Sequence, residues 1–376
     1  MTPVLLLTGF LGSGKTTLLQ RLLADPALSD AAVLINEFGE VGLDHHLLDR
    51  IDENVVLLKS GCICCTVRGE VAEALQNLHS LRDRGEIAFS RVVIETTGLA
   101  DPYPVLQTLT AHPVLRSHYR NGGVLTTVDA VNLDLQLRHR AEALRQIAAA
   151  DRIVLTKTDL TDQGSIDALM SRLHRINPAA EIVTGDRPAS DILAGLNAAV
   201  LAEAPAHDCG AGCDHHHHHH QHAAHHDAAF DVTSFALVID SALDWTMFGI
   251  WLTLLLHKHG DRIFRVKGIL AIEGEEKPVA IHGVQHLVHA PTHMETWPAG
   301  PRQSRIVFIM EGLSPDLIRR SFAAFMGVEL AKAADGELVD PAERELRRRR
   351  PAREPALGQD PGLPGDESEA RQHQEL

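Results

Sequence analysis

Short apolar runs alternating with longer stretches of helical periodicity set the rhythm of the first two hundred residues. Val4 to Thr8, Val33 to Ile35, Val92 to Ile94, Val124 to Val128 and Ile153 to Leu155 have the length and composition of buried strands. Between them, Thr16 to Leu23, Val71 to Leu81 and Ala141 to Ala150 place apolar residues three and four positions apart, as an amphipathic helix requires. Helical Ile166 to Ile176 and strand-like Glu181 to Thr184 close the series, which predicts an α/β domain with a mostly parallel sheet over residues 1–203.

The rhythm then breaks. Residues 204–229 read as a linker rich in histidine and cysteine, with too little apolar matter to form a core. Beyond it, Phe235 to Ile239, Ile263 to Ile272, Val279 to His282 and Ile306 to Met310 look like strands, with helical patterns at Trp245 to His257 and Pro315 to Phe325. These predict a smaller α+β domain over 230–334. Residues 335–376 are rich in Pro, Glu and Arg, a composition that predicts disorder, and the run Arg347 to Arg350 reads as part of a solvated tail.

Charge narrows the function. The chain has 376 residues and a formal net charge of −15, which disfavours nucleic acid as a partner because phosphate contacts need a basic face. The apolar start lacks a basic flank and is interrupted by Pro3, Gly9 and Gly12, unlike an export signal. No apolar stretch reaches the roughly 18 residues of a membrane span, so no membrane partner and a cytoplasmic location are expected. The 5 cysteines fall in two tight groups, a spacing that suits metal better than a disulfide framework.

Two motifs carry nucleotide chemistry. Gly9-Phe10-Leu11-Gly12-Ser13-Gly14-Lys15-Thr16 matches the phosphate loop and sits between a predicted strand and a predicted helix. In such a loop, backbone N–H groups and the helix N-terminus face the phosphates, Lys15 neutralises β- and γ-phosphate charge, and the Thr16 hydroxyl ligates Mg²⁺. Arg91 to Gly98 is a strand ending in a carboxylate and a glycine, which places Glu95 toward Mg²⁺ or its waters and Gly98 in a turn that senses the γ-phosphate. Thr156-Lys157-Thr158-Asp159 resembles the Asn-Lys-x-Asp base-reading motif of GTPases, with Asp159 accepting from guanine N1–H and the exocyclic amine. A carboxylate buried against the base would reject adenine strongly, whereas threonine in the first position weakens the reading of guanine O6 and N7.

Three thiols within four residues, Cys62, Cys64 and Cys65, point to a soft-metal site that leaves a fourth position open for exchange. The linker adds Cys209, Cys213, His215, His216, His217, His218, His219 and His220, a flexible auxiliary set expected to gather zinc, nickel or cobalt weakly. His282, His286, His289 and His293 in the second domain are further imidazoles, more readily explained as hydrogen-bonded structure than as ligands.

Together, GFLGSGKTT at 9–17, NEFGEVGLD at 36–44, GCICCT at 61–66, ETTGLADP at 95–102 and TKTD at 156–159 resemble the CobW-type family of metal-carrier GTPases over about residues 3–327. The resemblance implies a P-loop domain followed by a CobW C-terminal domain, with GTP and Mg²⁺ as cofactors. It implies that GTP hydrolysis drives release of zinc, or of cobalt in members tied to cobalamin synthesis, from the Cys-x-Cys-Cys thiols to a client metalloprotein. By motif it assigns Thr17 to the phosphate loop, Glu37 and Glu40 to the first switch segment, and His112 to a metal-contact position. Two other readings stand beside it: a metal store with a regulatory GTPase domain, and an ATP-dependent iron–sulfur scaffold, whose loop usually carries an additional lysine that is absent here. The client, the choice between zinc and cobalt, the oligomeric state and the residue that positions the attacking water stay open.

Overall fold

A computed structural model describes residues 1–28, 30–36, 55–58, 66–139, 141–196, 225–227, 231–298 and 300–327. The chain begins with β1 (Thr2–Gly9), α1 (Lys15–Leu23), β2 (Ala31–Asn36), β3 (Val55–Leu58), α2 (Thr66–Asp83) and β4 (Arg91–Glu95). There follow α3 (Tyr103–Ala111), α4 (Leu115–His118), β5 (Tyr119–Asp129), α5 (Leu133–His139), α6 (Ala141–Ala149), β6 (Arg152–Thr156), α7 (Gln163–Ile176), β7 (Glu181–Thr184) and α8 (Ala189–Leu193). The strands form one sheet in the order β3-β2-β4-β1-β5-β6-β7, and every pairing in it is parallel. Both faces are covered, which explains runs such as Val92, Val93 and Ile94 that are apolar at every position and fully buried.

Parallel strands all end at the same edge, and here that edge collects the chemistry. β1 lies between β4 and β5, so the loop after β1 opens where the strand order turns from one side of the sheet to the other. Ligand crevices of open α/β sheets lie at such a point.

The second sheet is antiparallel. It comprises β8 (His225–Asp227), β9 (Val232–Ile239), β10 (Ile263–Leu270), β11 (Val279–Val284), β12 (Leu287–Val288), β13 (Thr292–His293) and β14 (Ser304–Glu311), accompanied by α9 (Trp245–His259) and α10 (Pro315–Met326). Its main order is β12-β11-β10-β14-β9-β8, with β13 on β11. One face packs under α9 and α10, where Trp251 lies edge-on to Phe322 at 4.9 Å and donates to Ser321. From the other face, Val232, Phe264 and Ile309 join the cluster that includes Leu144 and Ile147 of α6 and Leu173 of α7.

A compact ionic cluster ties the second sheet to the first. Asp151, just before β6, receives hydrogen bonds from Arg265 and from the Val124 amide and lies 3.6 Å from Lys267, while Arg265 also donates to the Ala149 carbonyl. Burial opposes the Asp151 charge, but Arg265 and Lys267 outweigh it and hold the carboxyl well below its usual range. Residues Met1–Leu330 form one compact unit.

Several elements exceed the sequence reading. β3 is four residues long, too short to separate from a loop by periodicity. α3 carries Pro102 at its N-cap and Pro104 in its first turn, where proline is tolerated, although in sequence the pair looks like a break. His225 and His226, read as linker, pair with Ser234 and Thr233 in β8.

Candidate functional site

The phosphate loop joins β1 to α1, as its motif requires. Gly14 stands at the N-cap of α1 with φ 86°, a left-handed conformation that costs a residue with a Cβ, so glycine lets the loop turn its amides toward the helix axis. The loop is braced from β5 and β6, and the end of β1 that leads into it is braced from just past β4. Ser13 Oγ lies 2.7 Å from Thr127 Oγ1 on β5. Thr156 Oγ1, at the end of β6, donates to the Ser13 carbonyl at 2.8 Å. Thr96, just past β4, donates through its hydroxyl to Thr8 at 2.9 Å. Lys15 is buried and arches back over the loop, its Nζ 3.2 Å from the Phe10 carbonyl.

Thr16 Oγ1 donates to Glu95 Oε1 at 2.7 Å, and Glu95 is 4% exposed at the end of β4. A hydroxyl and a carboxylate side by side next to the phosphate loop form an oxygen donor set that fits Mg²⁺, a hard cation usually held by one or two carboxylates plus phosphate oxygens. Thr17 is exposed on the first turn of α1. Gly98 packs on the phosphate loop so closely that a Cβ would meet the Leu11 amide nitrogen at 2.6 Å, and only glycine allows the two backbones this approach.

The base-reading segment explains its own threonine. With Thr156 Oγ1 committed to the Ser13 and Val128 carbonyls, this position braces the phosphate loop, and its hydroxyl is already used. Lys157 has φ 57° and donates to Asp129 Oδ2 at 2.6 Å. Asp159 is exposed.

Asp129 was not singled out in the sequence. It is 1% exposed, accepts from Val131, Asn132 and Lys157, and thereby shapes the turn beside the base-reading segment. Burial works against its ionisation, but hydrogen bonds from Asn132, Lys157 and Val131 prevail and keep the carboxyl below its usual range. Its signal was present: like Glu95, it is a carboxylate that ends an apolar run.

His112 lies at the C-terminal end of α3, where Nδ1 accepts from the Leu115 amide at 3.4 Å. Burial pushes His282 down to about 3 and His289 down to about 4, while His286 contacts the Leu256 carbonyl and Asp261. Among the described residues, no three His, Cys, Asp or Glu side chains are placed to hold a metal ion. Glu37, Glu40, Cys62, Cys64, Cys65, Cys209, Cys213 and His215 to His220 lie outside the described residues. No described helix is long and apolar enough to cross a membrane.

A braced phosphate loop with a threonine–carboxylate pair beside it, at the strand edge of a parallel sheet, defines a P-loop nucleotide-binding protein. Residues 3–184 match the CobW/HypB/UreG nucleotide-binding domain, and residues 232–326 match the cobalamin synthesis protein cobW C-terminal domain. The chain is 37% identical over 324 residues to the zinc chaperone YjiA of Escherichia coli, covering 85% of this chain and 97% of that protein. It is 29% identical over 343 residues to the zinc chaperone CobW of a Sinorhizobium species, covering 82% of this chain and 92% of the relative. The crystal structure of the Zn(II)-bound YjiA GTPase from E. coli superposes with a TM-score of 0.64 at 33% identity, covering 86% of this chain and 99% of that one. The chain therefore belongs to the CobW family of P-loop GTPases.

Proposed function

We propose that this chain is a GTP-dependent zinc carrier that loads a thiolate site at Cys62, Cys64 and Cys65 and surrenders the ion to a client metalloprotein when GTP is cleaved. The observation that carries the reading is topological. β2, β3 and β4 run parallel to β1, so they end at the edge that holds the phosphate loop and Glu95. Glu37 follows the last residue of β2 directly, and Cys62 follows the last residue of β3 by four positions, a reach of at most about 14 Å. The described residues that flank the three thiols in sequence are Leu58 at the end of β3 and Thr66 at the start of α2, which supports the reading. The zinc named in both relatives suits this donor set, because thiolates favour soft and borderline ions.

In this reading Lys15 and the loop amides hold the phosphates. Thr16 and Glu95 hold Mg²⁺, which supplies charge neutralisation at the β- and γ-phosphates when bound. Asp159 reads guanine. Glu37 and Glu40 lie in the segment that would answer to the γ-phosphate, and the imidazoles of 204–229 gather ions at low affinity. The bounds 1–203, 204–229, 230–334 and 335–376 are kept as functional divisions, and the cytoplasm as the site of action.

Release of zinc to a competing fluorescent chelator tests the proposal. With zinc-loaded protein, release should keep step with GTP hydrolysis and stall with a non-hydrolysable analogue. Release at one rate with GTP, analogue or GDP would contradict it. A store that depends on the histidine arm predicts instead that deleting residues 207–227 removes nearly all bound zinc.

A further inference from the structure

The helix α6 grips the segment that follows Glu95. Gln146 on this helix is 1% exposed, and its Nε2 donates to the Gly98 carbonyl at 3.1 Å and the Ala100 carbonyl at 2.9 Å. Two carbonyl acceptors fix which end of the amide faces them, because only the NH₂ end can donate. Gln146 Oε1 is left buried with no partner among the described residues. The amide thus spends both its donors on the backbone of the segment that follows Glu95.

Gly98 is the residue whose backbone rests on Leu11 of the phosphate loop. The backbone amide of Gln146 is not free to wander, since its carbonyl accepts from Thr126 on β5 at 3.0 Å. The C-terminal end of α6 is anchored by Asn177, which donates to the carbonyls of Ile147, Ala148 and Ala150, and by Arg265 of the second sheet on Ala149. Arg145, one residue before, lies 3.5 Å from Asp101, and Gln285 of the turn after β11 reaches the same carboxylate at 3.4 Å. The Gly98–Asp101 segment is thus held from behind by a helix that is itself locked to both sheets.

We infer that Gln146 is a positioning residue for the nucleotide-state switch: its amide holds the Gly98–Ala100 turn against the phosphate loop, where the Gly98 N–H meets the γ-phosphate. The inference rests on the reading of this site as a guanine nucleotide site. Gln146 holds the turn before any nucleotide arrives, but the hold bears on affinity only where a γ-phosphate offers the Gly98 amide an acceptor, which GDP lacks. Gln146 therefore sets the preference for GTP over GDP and leaves binding of the base and the β-phosphate alone.

The test is equilibrium binding of a non-hydrolysable GTP analogue and of GDP to the full chain, comparing wild type, Gln146→Met and Gln146→Asn. Methionine keeps the volume without donors, and asparagine keeps the donors on a stem too short for both carbonyls. In Gln146→Met the analogue should bind about 10-fold more weakly, the loss expected for two backbone hydrogen bonds, while GDP affinity stays within about 2-fold. Gln146→Asn should fall between, and the KM for GTP should rise in the same order. An unchanged analogue-to-GDP ratio, or equal weakening for both nucleotides, overturns the inference and makes the side chain merely structural. If Gln146→Met does not fold, Gln146→Asn carries the same comparison with the same outcomes. A wild-type chain that binds neither nucleotide would overturn the reading of the site itself, a result distinguishable from failure at Gln146.

Discussion

Thr16 Oγ1 and Glu95 Oε1 stand 2.7 Å apart, which joins the residue after the phosphate-loop lysine to the end of β4. The pair brings a helix start and a strand end to one point, and that point is where a magnesium ion on the β- and γ-phosphates would find its protein oxygens.

Removing either oxygen should cripple hydrolysis more than binding. Thr16→Ala and Glu95→Gln are expected to lower kcat for GTP by roughly 100-fold, the scale of one lost charge-stabilising contact in a transition state. The measurement is steady-state phosphate release across a magnesium titration, with GDP affinity as the control. Equal kcat in wild type and Glu95→Gln would remove the carboxylate from the magnesium role.

Guanine selection should depend on Asp159 despite its exposure. Asp159→Asn replaces an acceptor for two guanine donors with an amide that can match only one, so GTP affinity should fall about 10- to 100-fold, while ATP, weak at the outset, should change little. Thr156→Ala is expected to act differently: with the brace on Ser13 gone, both nucleotides should weaken together. Competition binding with GTP and ATP separates the two patterns.

The junction between the sheets gives a stability prediction. Arg265→Met leaves Asp151 with only Lys267 and the Val124 amide, and breaking a buried ion pair on one side typically costs about 3–5 kcal/mol. Chemical denaturation should show a lower midpoint for Arg265→Met, and the triple variant Arg265→Met, Asp151→Leu, Lys267→Met should recover part of the loss because none of the three charges is then left unpaired.

Acid should weaken the same region before it reaches the carboxylates. Burial, helped by the Arg265 charge and opposed by Asp151, pushes His282 down to about 3 and His289 to about 4, whereas in the unfolded chain both rings titrate near 6.5. Above about pH 6.5 neither state binds these protons. Between about 6.5 and 4 the unfolded chain takes them up and the native chain does not, so stability falls as pH falls, by roughly 2–3 kcal/mol per pH unit for the pair. Denaturant unfolding at pH 7, 6 and 5 measures the slope, and His282→Gln with His289→Gln should flatten it.

Much of this architecture was legible in the pattern of apolar runs. The strand cores of β1, β2, β4 and β6 announced themselves because a strand buried on both faces is apolar at nearly every position, as Val92 to Ile94 are, whereas β5 and β7 showed only as short runs rich in β-branched residues. The strand–loop–helix context of the phosphate-loop motif and the place of Glu95 at the end of β4 were legible from their spacing. What escaped were interactions made by ordinary residue types at long sequence distance. Nothing local marks Gln146 as the partner of Gly98, 48 residues earlier, or Thr156 as the brace of Ser13, 143 residues earlier. α3 escaped because Pro102 and Pro104 suit the start of a helix as well as a break in one.

The central claim is that nucleotide state and zinc affinity are one coupled equilibrium. Its most direct test is titration of zinc into the protein held with GDP or with a non-hydrolysable GTP analogue, repeated in Cys64→Ala. Coupling of the usual size predicts affinities that differ about 5- to 150-fold between the two states, with both the tight binding and the difference lost in Cys64→Ala. Identical zinc affinities in the two states, or tight binding indifferent to Cys64→Ala, would contradict the account.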